Sequence, residues 1–245
     1  IFIFPEGALA GVYLDQLKKF QKIFKKNYSK KHIIIMGINT QKKINNLSKI
    51  HNSMVVLDNN LNLISEYNKI KLVPFGEFLP FEKFFKKVGL KKISYGYESF
   101  SSGNVRNIIS FDNRIFSFIP LICYEIIYSG KINLKSEKTD FIINISEDGW
   151  FGDSIGPHQH FAHTIFRAIE EGKNIIRSSN NGISAYIDSN GIVLSRIEST
   201  RKGVIEIKKY KKINETLFSK FGNKIFFYII LFYIVIIFFI KRKGA

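Results

Sequence analysis

The chain has 245 residues, a formal net charge of +17 and one cysteine, so no intrachain disulfide can form and redox compartment cannot be read from it. The lysines are dispersed as pairs, such as Lys18-Lys19, Lys30-Lys31 and Lys91-Lys92. Nucleic-acid binding gathers basic residues on one face, so this pattern argues against a nucleic-acid partner and favours an anionic membrane surface.

Elements alternate along the chain. Residues 1–4, Ile-Phe-Ile-Phe, read as a core strand with no initiator methionine, so the sequence predicts a missing upstream portion. Leu14, Leu17, Phe20, Ile23 and Phe24 form a helical stripe within residues 9–26. Strands are predicted at 32–38, 53–58 and 61–65, with a turn at Asn59-Asn60. Pro74, Gly76 and Pro80 break residues 67–81. A short helix at 81–88 and a mobile polar loop over 89–107 follow. Further strands are expected at 107–111, 115–122, 141–146, 174–178, 183–188, 192–197 and 203–207. A helix at 161–172 ends on a capping glycine, and Asp188-Ser-Asn-Gly191 is a hairpin turn. Continuous apolar strands mixed with helices indicate a layered α/β domain with buried sheets.

Residues 225–240 read IFFYIILFYIVIIFFI, without a charge, between Lys224 and Lys241-Arg242-Lys243. As a helix this run rises about 24 Å against a hydrocarbon core of about 30 Å, and the flanking lysines can snorkel. It has no polar face to place against solvent, so a transmembrane helix is expected rather than a buried core helix. Basic residues lie on both sides of it, and the positive-inside count is undecided. The expected organisation is a globular domain over 1–212 with a truncated start, a linker over 213–224, the membrane helix over 225–240 and a basic tail over 241–245.

Cys123 sits in Pro120-Leu-Ile-Cys-Tyr-Glu125, where a buried strand ends. That position exposes a nucleophile and leaves the N–H of Tyr124 free to face an oxyanion. A thiol needs a base or a nearby cation to attack. Glu6, in Pro5-Glu6-Gly7, is a candidate base, although a glutamate at a helix start also simply suits the dipole. Lys69, in Tyr67-Asn-Lys69, means little alone in so lysine-rich a chain, but paired with a buried Glu and Cys it can hold an oxyanion as a fixed positive charge. The histidines His158, His160 and His163 invite a metal, but no fourth ligand has suggestive spacing and the chemistry needs none. They are read instead as hydrogen-bonding structure around the loop after Trp150.

Taken together, Pro5-Glu6, Tyr67-Asn-Lys69 and Cys123-Tyr-Glu125 resemble the Glu–Lys–Cys set of the nitrilase, or carbon–nitrogen hydrolase, superfamily in order and spacing. Val73-Pro-Phe-Gly-Glu77-Phe-Leu-Pro80 and the stretch from Asn144 through Trp150 to His160 resemble the apolipoprotein N-acyltransferase family within it. Glu147 and Gly149 depart from its usual Asn and small residue. The resemblance implies an αββα sandwich followed by one C-terminal transmembrane helix, with a membrane-helix bundle upstream. It implies that Glu6 is the general base, Lys69 the oxyanion stabiliser and Cys123 the acylated nucleophile. Glu77, Tyr124, Glu125 and Trp150 are supporting or substrate-binding residues. The implied activity moves a fatty acyl group from a phospholipid, through a cysteine thioester, to the α-amino group of an apolipoprotein's diacylglyceryl-cysteine, without metal or cofactor. The implied location is the inner membrane, multi-pass in the full-length protein, with the catalytic domain periplasmic. The loop residues Phe75, Phe78, Phe81, Phe84 and Phe85 suit an acyl-chain entrance or ordinary core. The competing readings are a nitrilase-type amidase with water as acceptor, which leaves the tail unexplained, and a non-catalytic membrane-anchored lipoprotein-binding module.

Overall fold

The computed structural model describes residues 1–44, 47–81, 99–111, 116–132, 139, 141–210 and 215–243, with backbone alone at 43–44, 47 and 242–243. Two sheets stack face to face. The first has four strands in spatial order: β1 (Phe2–Ile3), β2 (Ile34–Ile44), β3 (Leu47–Leu57) and β4 (Leu63–Asn68). β1 runs parallel to β2, and the remaining pairs are antiparallel. The second sheet runs in the order β10-β9-β8-β7-β6-β5. Its strands are β5 (Ile109–Phe111), β6 (Phe116–Ile122), β7 (Phe141–Glu147), β8 (Asn174–Asn180), β9 (Ser184–Ile187) and β10 (Val193–Ile197).

β6, β7 and β8 are parallel and central. β6 and β7 are buried along almost their whole length, because both faces are covered, and hence their unbroken apolar sequence. Ile35, Met54 and Val56 of the first sheet meet Phe118, Ile143 and Ile145 of the second to form the middle of the core. Leu17 and Phe24, from a 3₁₀ turn over Leu14–Phe20 and α1 (Gln21–Asn27), cover the outer face of the first sheet. Phe161 and Ala168 of α2 (Gly156–Glu171) cover Ile142 and Ile175 on the outer face of the second. The result is four layers, αββα, as expected.

Several boundaries differ from the sequence-based expectation. The first helix forms over 14–27 rather than 9–26, with Gly11 at φ +75° ahead of it. β2 and β3 run on to residues 44 and 47, beyond the expected strand at 32–38 and ahead of that at 53–58. α2 starts at Gly156, with Pro157 in its first turn, where a missing N–H costs nothing. It ends as expected at Gly172, φ +61°. Residues 203–207 form no strand, although Ile205 and Ile207 pack on the middle core. The helix expected at 81–88, including Phe84 and Phe85, lies outside the described residues apart from Phe81.

After the sandwich, α3 (Leu217–Phe221) leads into α4 (Lys224–Lys243). Thr216 Oγ1 donates to the Glu170 carbonyl and Asn223 Nδ2 to the Ser129 carbonyl at 3.2 Å, which roots the segment on α2 and the loop after Cys123. Beyond that root, α4 is long and apolar enough to cross a membrane, and none of its apolar stretch is buried in the protein.

Candidate active site

Glu6, Lys69 and Cys123 come from the ends of β1, β4 and β6 and meet where the two sheets face each other. Glu6 reaches this point because the chain at Pro5-Glu6 crosses directly over Gly37 of β2. A Cβ on Gly37 would stand 2.5 Å from Glu6 Cα and 2.9 Å from the Pro5 carbonyl oxygen, so only glycine leaves room. Lys69 follows the last residue of β4 and is 1% exposed. Cys123 is the first residue past β6 and has φ +50°, a left-handed backbone that a side chain adopts at a cost of about 1–3 kcal/mol. This sharp turn opens a 3₁₀ segment, Cys123–Ile127. Tyr124 N–H is among its first amides, which have no partner within a helix.

The Lys69 ammonium donates to Glu77 Oε1 at 3.0 Å and lies 3.9 Å from Glu6 Oε1. Asn52 Nδ2 bridges the two carboxylates, at 2.6 Å to Glu6 Oε1 and 2.8 Å to Glu77 Oε1. Glu6 Oε2 accepts from the Glu147 amide at 2.8 Å, and Glu77 Oε2 from the Val73 amide at 2.8 Å. The Cys123 sulfur stands 4.0 Å from the Glu147 carbonyl oxygen. The main chain of Glu147 thus touches both Glu6 and Cys123.

Burial acts on all three groups, and their charges then sort them. Burial pushes the Cys123 thiol up to about 12, the Glu6 charge adds to this and Lys69 opposes it. Burial likewise raises the Glu6 carboxyl, against Lys69, with Glu77 reinforcing the rise. Burial works to discharge Lys69, but Glu6, Cys123 and Glu77 outweigh it and hold the ammonium well above its ordinary value. The site thus holds a fixed cation beside a thiol and a carboxyl whose proton affinities are both raised. That combination can take a proton from sulfur and stabilise an oxyanion.

Glu125 has a different position. Its carboxylate is fully buried and collects Tyr67 Oη at 2.7 Å, Arg106 Nη2 at 3.0 Å, and the amides of Ile70, Lys71 and Ile122 at 3.0, 3.2 and 2.9 Å. It clamps the strand end that carries Lys69 to the turn that carries Cys123. Trp150 lies in a 3₁₀ turn after β7 and is 62% exposed. Phe75 and Phe81, on the loop after Lys69, are 42% and 82% exposed. His158 and His163 are exposed while His160 is buried, so the three histidines do not share a site. Asn52 and Arg106 were not picked out from the sequence. A lone Asn inside a strand and one Arg in a polar loop carry no spacing signal.

A buried Glu–Lys–Cys set between the strand ends of an αββα sandwich defines the carbon–nitrogen hydrolase class. The sequence model of that family, Carbon-nitrogen hydrolase, matches residues 1–208, and the chain belongs to it. Within the family it is similar to apolipoprotein N-acyltransferases. That of Wigglesworthia glossinidia brevipalpis is 39% identical over 99% of this chain and 48% of its own length. That of Rickettsia bellii is 34% identical over 99% of this chain and 48% of its own. The chain spans between 30% and 48% of the length of these and similar curated relatives. Among solved structures, a glutamine-dependent NAD+ synthetase from Acinetobacter baumannii matches with TM-score 0.55 at 17% identity, over 86% of this chain and 42% of the other. A Nesterenkonia amidase of the nitrilase superfamily matches with TM-score 0.52 at 13% identity, over 80% and 72%. At such identities these structures speak for the fold alone.

Proposed function

We propose that the chain is the catalytic part of a membrane-tethered acyltransferase that moves a fatty acyl group from a phospholipid to the α-amino group of an apolipoprotein's N-terminal diacylglyceryl-cysteine. The observation that carries this reading is the buried Lys69 ammonium held between Glu6 and Glu77 beside the strained Cys123, in a chain that goes on into α4. The similarity to apolipoprotein N-acyltransferases supports the substrate class.

Glu6 takes the thiol proton, and the sulfur attacks the acyl ester. Lys69 and Tyr124 N–H stabilise the tetrahedral oxyanion. As it collapses, the ester C–O bond breaks, Glu6 returns the proton to the leaving alkoxide, and a lysophospholipid departs from the thioester. The free amine then attacks the thioester and the C–S bond breaks. Glu6 accepts the amine proton and returns it to sulfur as the amide forms. The exposed Phe75 and Phe81 suit an acyl chain arriving from the bilayer. In this reading α4 spans the inner membrane of a multi-pass protein and the catalytic domain faces the periplasm.

Incubation with a phospholipid carrying a labelled acyl chain and a diacylglyceryl-cysteine peptide tests the reading. Label on the peptide amine supports it. Turnover confined to small amides, with no label transfer, would assign water as the acceptor and make the chain an amidase. Protease added to spheroplasts tests sidedness: cleavage of the catalytic domain supports the periplasmic face, and protection there contradicts it.

A further inference from the structure

Behind Cys123 lies a closed ring of buried polar side chains that the trio does not use. The Cys123 carbonyl oxygen faces His160 Nε2 at 3.2 Å and accepts from Asn144 Nδ2 at 3.4 Å. His160 Nδ1 faces Asp148 Oδ1 at 2.9 Å. Arg177 Nη2 donates to both Asp148 oxygens, at 3.0 and 2.7 Å, and lies 3.2 Å from His160 Nδ1. Arg177 Nη1 donates to Asn144 Oδ1 and closes the ring. All four side chains are buried: His160 is 3% exposed, Arg177 2%, Asp148 1% and Asn144 0%. Both oxygens facing the ring can only accept, so donation to the Cys123 carbonyl takes either an imidazolium, with Nδ1 donating to Asp148, or the neutral tautomer protonated on Nε2, with Nδ1 accepting from Arg177 Nη2.

Satisfying a buried carbonyl takes one donor. This carbonyl faces two, each braced by the Asp148–Arg177 ion pair, and it belongs to the residue at the left-handed turn. The peptide unit explains why that matters. The carbonyl of Cys123 and the N–H of Tyr124 share one plane and point in opposite directions. Fixing the oxygen therefore aims the amide. Donors on the oxygen also polarise the unit and strengthen the N–H.

We infer that His160, backed by Asn144, Asp148 and Arg177, is a positioning residue that aims the Tyr124 N–H at the oxyanion formed on Cys123. The inference rests on the Cys123 nucleophile of the proposed function but not on the identity of the physiological donor or acceptor. Its test compares two reactions of the same sulfur in the full chain. Acylation by a p-nitrophenyl fatty-acyl ester passes through an oxyanion, whereas alkylation by iodoacetamide displaces iodide and forms none. Removing one oxyanion donor costs about 10²–10³ in rate, and misaiming it costs a part of that.

His160→Gln keeps an amide N–H near the Nε2 position, and His160→Asn places it near Nδ1, so the two variants differ in aim more than in polarity. His160→Asn is expected to lower the acylation rate constant about 10–100-fold while alkylation stays within about threefold. His160→Gln is expected to recover most of the acylation. Acylation at the unmodified rate in His160→Asn, or parallel loss of acylation and alkylation in both variants, overturns the inference. Phospholipid-dependent transfer in the unmodified chain reports separately on the proposed function.

Discussion

Removing the Glu125 carboxylate perturbs the site without touching Glu6, Lys69 or Cys123. Glu125→Ala removes the counter-charge of the Arg106 guanidinium, which is 11% exposed and keeps Tyr67 Oη and the Lys131 carbonyl as partners, and it takes the acceptor from the amides of Ile70, Lys71 and Ile122. Losing one partner of a buried ion pair costs about 3–5 kcal/mol. For a domain of this size each kcal/mol shifts Tm by about 2–4 °C, so the expected fall is about 6–20 °C. Thermal unfolding followed by circular dichroism, with the chain in one detergent throughout, measures it. Because the clamp joins the Lys69 loop to the Cys123 turn, transfer activity should fall even at temperatures where the variant is folded. A Tm within about 2 °C of the unmodified protein would refute the view that this carboxylate holds the two halves of the site together.

Gly37→Ala should displace Glu6, since the new methyl has no room 2.5 Å from Glu6 Cα; single-turnover acylation should drop by at least about tenfold, and unchanged acylation would contradict the close crossing. The raised thiol predicts that iodoacetamide labels Cys123 slowly at pH 7.5 and that the rate climbs until about pH 12, whereas a plateau near pH 9 would show an unperturbed thiol. The linked stability runs the other way. Between the ordinary thiol value and about 12 the unfolded chain has lost a proton that the folded chain keeps, so this group makes stability fall as pH rises through that window. Ile234→Arg, in the middle of α4, should cost about 2.5–3.5 kcal/mol of membrane insertion and, in the 245-residue chain expressed by itself, release part of it on alkaline carbonate washing. Complete retention would argue against α4 as the anchor.

Glu6, Lys69 and Cys123 were picked out through the resemblance of Pro5-Glu6, Tyr67-Asn-Lys69 and Cys123-Tyr-Glu125 to one family, since a glutamate at a helix start and one lysine among many say little alone; the structure brings the three together. The buried parallel strands and α2 were legible from an apolar pattern with an abrupt end. The ring behind Cys123 was only half visible. Asn144, Asp148 and His160 lie within one motif, but Arg177 joins them across neighbouring parallel strands, where Asn144 pairs with Arg177 in register. No spacing along the chain reports such a neighbour. The ends of β2 and β3 escaped because Gln41, Lys42, Ser48 and Lys49 are exposed and impose no apolar pattern. Residues 203–207 misled in the opposite sense: Ile205 and Ile207 alternate like a strand because one side packs on the core, yet no neighbouring strand pairs with them.

Acyl-enzyme formation at Cys123 is the step on which the rest depends. The direct measurement is mass spectrometry of the intact chain after incubation with a phospholipid of defined acyl composition and no acceptor. The account predicts a mass increase of one acyl group, located on the peptide containing Cys123, labile to hydroxylamine and absent from Cys123→Ala. It also predicts that adding a diacylglyceryl-cysteine peptide discharges that group. An adduct that persists in Cys123→Ala, or acyl transfer at a normal rate without any adduct on Cys123, would contradict the thioester and with it the mechanism.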